Sequence, residues 1–154
     1  MSRQTVYFLS PHQHRGLMAE IWANRLMLPD WEIRSAAWSK EAQPSFNDMP
    51  LEIMKEVILD LPAVEARAYN PEEIREADLI IALHDGEFEH GDIPTDLPTQ
   101  KLLRWDIRNP ELRTSDTTEQ WVLYQEICDE IATNIKTWNL ISVQITHKTS
   151  PVNR

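Results

Sequence analysis

Residues 6–20 read VYFLSPHQHRGLMAE, and this stretch decides the fold. Its first four residues are apolar, of aromatic and β-branched type, and are followed closely by Pro11, which is typical of a short strand buried on both faces. From Gly16 the apolar residues recur at helical spacing as far as Leu26. The chain therefore begins with a strand, a polar loop and a helix, which is the unit from which parallel sheets are built.

The rest of the chain repeats this alternation of strand and helix patterns. Because parallel strands need crossover connections, the alternation predicts an α/β domain with helices on both faces of a parallel sheet. We assign residues 1–138 to this domain and residues 139–154 to a C-terminal tail. The patterns predict strands at 31–38, 78–83 and 101–105, helices beginning at Pro50, Pro71 and Thr118, a surface loop over 84–100, and an edge strand at 141–145 before a frayed end.

Composition restricts the function classes. The 154 residues suffice for one domain, and no apolar run approaches the roughly 20 residues of a membrane span, so we expect a soluble protein. A single cysteine, Cys128, cannot form an internal disulfide, which fits the cytoplasm. The net charge of −10, from 25 acidic and 15 basic residues, disfavours nucleic acid and anionic membranes as partners.

The position of a ligand site follows from the predicted sheet. In open parallel sheets ligands bind at the carboxyl ends of the strands, where the strand order reverses. The loops that begin at Ser10, His84 and Asp106 should therefore converge, although a solvent-facing aspartate is the simpler interpretation of Asp106.

The loop at residues 10–15 resembles the phosphate loop of low-molecular-weight protein tyrosine phosphatases and thioredoxin-coupled arsenate reductases, and is closer to that of the reductases. The resemblance covers the chain in order to about Trp138. It implies a flavodoxin-like, low-molecular-weight phosphatase-like fold with four parallel strands in the order 2-1-3-4. Besides the loop, it rests on residues 31–36, residues 76–83, Trp105, Asn109-Pro110 and the helix at 119–131.

The resemblance also implies a chemistry whose groups are missing here. In the family a cysteine thiolate attacks phosphorus or arsenic, while the amides and arginine of a C-x5-R loop bind the oxyanion. This chain has Ser10 in the cysteine position and only four residues between it and Arg15. Pro11 has no N–H to offer, and Gly16 replaces the usual serine or threonine.

Two other parts of the family's machinery differ as well. The general acid is an aspartate directly before a proline, and this chain has Asn109 before Pro110. The reductases carry relay cysteines after the third strand, where this chain has His84 and His90. Cys128 is interpreted as a packing thiol on the last helix.

We therefore expect a catalytically degenerate relative, kept as a binding or regulatory protein, with a small oxyanion or another protein as its partner. Phosphate, sulfate or arsenate would bind weakly. An active phosphatase or reductase that uses Ser10 or a loop histidine as nucleophile is the alternative. The anion-binding residues would be Arg15, His12, Gln13, His14 and Gly16.

Four histidines support a third hypothesis. They fall in two loops that leave neighbouring strands at the same end of the sheet, so we predict that they approach one another. Imidazole is a common ligand of zinc and similar divalent metals, so a metal site is one interpretation and ordinary surface histidines are the other. The residues are His12, His14, His84 and His90.

Overall fold

The computed structural model describes residues 4–26, 30–38, 49–57, 70–89 and 93–148. Four strands form one parallel sheet, and their spatial order, second, first, third and fourth, confirms the predicted α/β fold. The strands are β1 (Gln4–Ser10), β2 (Trp31–Ala37), β3 (Leu79–His84) and β4 (Leu102–Asp106).

Helices cover both faces of the sheet, as expected. Asn70 begins one of them: its side chain accepts hydrogen bonds from the amides of Glu72 and Glu73, and Pro71 occupies the first turn. In the described ranges no helix is both long and apolar enough to cross a bilayer. The helices are α1 (Gln13–Arg25), α2 (Met49–Val57), α3 (Pro71–Glu76), α4 (Pro110–Arg113) and α5 (Thr117–Lys148), with a 3-10 turn at Thr99–Lys101.

Side chains of β1 alternate between two hydrophobic clusters. Val6 and Phe8 are fully buried against α1, α2 and α5, while Tyr7 and Leu9 are buried on the opposite face with Ile74 of α3. Burial on both faces confirms the interpretation of the first apolar run. A central strand of this kind fixes the loop that follows it, because the strand itself cannot shift without exposing one of the clusters.

The predicted edge strand at 141–145 is wrong, because α5 continues through these residues to Lys148. Ile141 and Ile145 alternate with polar residues, but they also lie three and seven positions after Trp138, which continues the helical spacing of α5. The predicted frayed end at 149–154 lies outside the described residues, as do the last residues expected for the helix that begins at Pro50.

Candidate functional site

The loops that follow β1, β3 and β4 meet at the carboxyl edge of the sheet. Arg15, in the first turn of α1, donates hydrogen bonds to Glu89, which follows β3, and to the carbonyl oxygen of Ile107, which follows β4. One side chain thus connects all three loops. The predicted convergence of these segments is present in the structure.

Ser10, the last residue of β1, is fully buried and closes the loop. Its Oγ accepts a hydrogen bond from the amide of Gly16 at 3.0 Å and donates its hydrogen to the carbonyl oxygen of His12. A carbonyl oxygen is not a base that removes a hydroxyl proton, so this arrangement does not generate an alkoxide. Ser10 acts as a structural cap on the shortened loop.

Gly16 permits the close approach of α1 to the end of β1. A Cβ atom built on this residue would lie 3.1 Å from the carbonyl oxygen of Phe8 and 3.1 Å from Ser10 Oγ. Both neighbours are themselves buried, and the backbone atom cannot move aside easily. The loss of the family's serine or threonine at this position therefore fits the four-residue loop.

Restoring a hydroxyl here should destabilise the protein. We expect Gly16→Ser to lower the free energy of unfolding by about 1–3 kcal/mol, because overpacking outweighs the gain in helix propensity. Urea denaturation followed by circular dichroism measures this value. Asn24→Ser, at an exposed position of the same helix, is the control and should change stability by less than about 0.5 kcal/mol. Equal stability of the two variants would contradict the steric argument.

Arg15 is bound to an internal carboxylate. Its Nη1 lies 2.7 Å from Glu89 Oε1 and its Nη2 lies 2.9 Å from Glu89 Oε2, so the guanidinium holds both oxygens at once. The two side chains are 3% and 2% exposed. From the sequence, Arg15 is either an oxyanion ligand or half of a structural ion pair, and in the structure its terminal nitrogens face Glu89. Binding of an external oxyanion by Arg15 remains a prediction.

Two further donors reach Glu89. The amide of Asp85 donates to Oε1 at 2.7 Å, and Asn109 Nδ2 donates to Oε2 at 2.8 Å. Burial raises the pKa of Glu89, but the hydrogen bonds and charge of Arg15 outweigh it and leave the pKa lowered. Asn109 also accepts from the amide of Glu111 and caps α4. Asn109 therefore acts as a hydrogen-bonding scaffold.

Asp85 is the buried half of a second ion pair, whose partner Arg113 is 25% exposed. Its carboxylate accepts from Arg113 Nε at 2.9 Å and Nη2 at 2.8 Å, and from the backbone amide of Asn109 at 2.9 Å. The amides of Glu87 and Phe88 donate to the same group. Burial raises the pKa of Asp85, yet these hydrogen bonds hold it well below its ordinary value.

Neither Asp85 nor Glu89 was singled out from the sequence, where their segment was predicted as a surface loop. Both are buried, Asp85 completely. The only signal available was the position of Asp85 directly after the end of a buried strand. A charged residue is almost never fully buried unless it is paired. The sequence did not predict that Glu89 pairs with Arg15 or that Asp85 pairs with Arg113.

His14 is largely buried beside Glu111 and Tyr124. Its Nδ1 lies 3.6 Å from Glu111 Oε2, and its ring meets Tyr124 edge-on with centroids 6.5 Å apart. Burial lowers the pKa of His14 to about 4, although Glu111 opposes the shift, and the nearby His12 lowers it further. The side chain of Gln13 lies outside what the structure describes.

His84 ends β3 and is buried, and burial lowers its pKa while Asp106 and Glu89 oppose the shift. Its Nδ1 has no hydrogen-bond partner among the described atoms. His90 lies outside the described residues. In the described part of the chain, no three His, Cys, Asp or Glu side chains are arranged to hold a metal ion. The metal site suggested for the four histidines therefore remains a prediction, and the described arrangement of His12, His14 and His84 does not support it.

Two other candidate groups lie away from these ion pairs. The Cys128 thiol on α5 accepts from Trp22 Nε1 at 3.3 Å and contacts Met54 Sδ at 3.4 Å. Burial raises its pKa, which favours the unreactive thiol and agrees with a packing role. Asp106 is exposed and accepts from the amide of Gly86 at 2.8 Å, so it supports the loop after β3.

Comparison with known proteins finds arsenate reductases by sequence, and arsenate reductases and low-molecular-weight phosphatases by structure. No protein-family model matches the chain. It is 28% identical to an arsenate reductase of Bacillus licheniformis over 137 residues, which are 88% of this chain and 95% of the relative.

Solved structures agree on the fold. A thioredoxin-dependent arsenate reductase of Corynebacterium glutamicum matches with a TM-score of 0.67 and 22% identity, over 94% of this chain and 64% of that chain. A low-molecular-weight phosphotyrosine phosphatase of Vibrio cholerae matches with a TM-score of 0.70 and 18% identity, over 94% and 98% of the two chains. The chain is therefore similar in sequence to arsenate reductases, and it shares its fold with arsenate reductases and low-molecular-weight protein tyrosine phosphatases.

Proposed function

We propose that this chain is a catalytically degenerate relative of the arsenate reductases and low-molecular-weight protein tyrosine phosphatases, used in the cytoplasm as a binding or regulatory protein. The observation that supports this most directly is the state of Ser10. Its hydroxyl is buried, accepts from the Gly16 amide and donates to the His12 carbonyl. A serine needs an adjacent base to act as a nucleophile, and here both hydrogen-bonding directions are used to close the loop.

The rest of the site supports the same proposal. Asn109 replaces the acid that protonates a leaving group in the resembling phosphatases, and its amide is committed to Glu89 and to the cap of α4. A carboxamide does not donate a proton at neutral pH. Nucleophile and general acid are therefore replaced together by groups with structural hydrogen bonds.

Turnover assays test the proposal. We expect hydrolysis of an aryl phosphate and thioredoxin-coupled reduction of arsenate to lie on the order of 10⁴-fold or more below active relatives, because the loss of a nucleophile has effects of this size or larger. Wild-type protein is compared with Ser10→Ala, His12→Ala and His14→Ala. Turnover that disappears in any one of these variants would show an enzyme with an altered nucleophile, and would disprove the proposal.

The ligand class that fits the family is a small oxyanion such as phosphate, sulfate or arsenate. The guanidinium of Arg15 can hold two oxygens of such an anion at once, but an external anion must first displace Glu89. The net charge of −10 also opposes anion binding. We therefore propose that free oxyanions bind the wild-type protein only weakly, and that a protein partner is the main alternative.

A further inference from the structure

The Glu89 carboxylate is surrounded like a bound ligand. Each of its oxygens receives two hydrogen bonds: Oε1 from Arg15 Nη1 and the Asp85 amide, both at 2.7 Å, and Oε2 from Arg15 Nη2 at 2.9 Å and Asn109 Nδ2 at 2.8 Å. Four hydrogen bonds on two oxygens, two of them from a bidentate guanidinium, form the arrangement of a site built for a carboxylate or oxyanion. The group is 2% exposed.

The donors come from all three loops at the carboxyl edge of the sheet. Arg15 belongs to the loop after β1, Asp85 follows β3, and Asn109 follows β4. Ligands of open parallel sheets bind at this edge. The site therefore occupies the position where an external ligand would be expected, and it is filled by a side chain of the same chain.

We propose that Arg15, Asn109 and the Asp85 amide form an intact anion-binding site whose resident ligand is this protein's own Glu89. The inference rests on the proposed function in one respect, that the loop has been kept for binding and not for catalysis. The site selects a group with two coplanar oxygens, which free carboxylates and tetrahedral oxyanions both offer to a guanidinium.

A tight turn presents Glu89 to the site. The Glu89 amide donates to the Asp85 carbonyl oxygen at 2.7 Å, and the Asp85 carboxylate accepts from the amides of Glu87 and Phe88 within the turn. Arg113 anchors Asp85 through two hydrogen bonds and lies over the Phe88 ring, 4.8 Å from its centroid. The turn thus holds Glu89 in place without help from Arg15.

A ligand held in this way by a rigid turn has an effective concentration far above the roughly millimolar value of a short flexible linker. A free anion must exceed that concentration before it replaces Glu89. The wild-type protein should therefore show no increase in melting temperature in about 50 mM phosphate, sulfate or formate beyond the effect of the same ionic strength of chloride.

Removing the internal ligand should open the site to external ones. Glu89→Ala leaves a space of carboxylate size beside an unpaired, buried Arg15, so its melting temperature should fall by about 10 °C. Formate or acetate should restore part of this loss, by about 3–5 °C at a concentration tenfold above the dissociation constant, and inorganic phosphate should act in the same direction. If the alanine variant does not fold in chloride, Glu89→Ser is used instead. It also removes the carboxylate, and its melting temperature is compared in the same anions.

Matched controls isolate the site. Glu87→Ala removes a carboxylate two residues away that is 67% exposed, and should show no difference between formate and chloride. Arg15→Met combined with Glu89→Ala should also show none, because the guanidinium is absent. Equal melting of both Glu89 variants in formate, phosphate and chloride would overturn the inference and leave the absence of catalysis untouched. Ser10-dependent turnover would overturn the proposed function, while the rescue by formate would still stand.

Discussion

Asp85→Asn is expected to lower the free energy of unfolding by about 2–4 kcal/mol, because the buried carboxylate makes charge-assisted hydrogen bonds that a carboxamide cannot replace. Asp85 is fully buried and its carboxylate receives five hydrogen bonds, two of them from Arg113. Asparagine has one oxygen where the carboxylate has two, and its amide group would face the Arg113 donors. Urea denaturation at neutral pH, followed by tryptophan fluorescence, measures the loss.

Glu87→Gln is the matched control for this variant. Glu87 pairs with the same arginine, at 3.2 Å from Arg113 Nη1, but its side chain is 67% exposed. Exposed ion pairs contribute about 0–1 kcal/mol, so this change should have a small effect. A loss below about 1 kcal/mol for Asp85→Asn would contradict the structural role assigned to the buried carboxylate.

Sequence patterns predicted the sheet because its strands have strong and simple signals. The apolar run before Ser10 and the apolar run before His84 are each buried on both faces, and such runs differ clearly from amphipathic helices. The strand order came from the resemblance to the family, not from the patterns. Both lines of reasoning place Ser10 and Arg15 at the carboxyl edge, where the structure has them.

The short helix α4 was missed although its signal was present. Asn109-Pro110-Glu111 repeats the cap, proline and acid of Asn70-Pro71-Glu72, which had predicted α3 correctly. Asn109 was considered only as a lost general acid. In the structure the same residue caps a helix and binds Glu89, so its local and tertiary roles are compatible.

The charged core of the site could not be predicted from the sequence. Arg15 and Glu89 are 74 residues apart in the chain, and nothing in the polar segment DGEFE distinguishes a buried acid from an exposed one. Glu89 is buried because a turn after β3 places it against Arg15 and Asn109 at the edge of the sheet. The burial of an acidic residue can be inferred only when its basic partner is known. Here the partner of Glu89 is Arg15, which lies after a different strand.

Acidification should destabilise the protein through His14 in a defined window. The pKa of His14 is about 4 in the folded protein, below its ordinary value of 6.5, because burial penalises the imidazolium. The unfolded chain therefore binds more protons between these two values, and stability falls as the pH drops from 6.5 to 4, by about 3 kcal/mol in total. Urea denaturation from pH 7.5 to about pH 4.5 measures the slope.

Two variants assign this slope to His14. His14→Asn removes the titrating group, so the decline between pH 6.5 and 4 should become shallower, whatever its effect on stability at pH 7.5. Glu111→Gln removes a carboxylate that raises the pKa of His14, so the imidazole should titrate at a still lower pH in NMR spectra. Asp85 and Glu89 have lowered pKa values, so their stabilisation is complete above about pH 5 and is lost only below it, and the slope between pH 6.5 and about 5 is free of their effect. An imidazole that titrates near its ordinary value in the wild-type protein would contradict the burial of His14 between Glu111 and Tyr124.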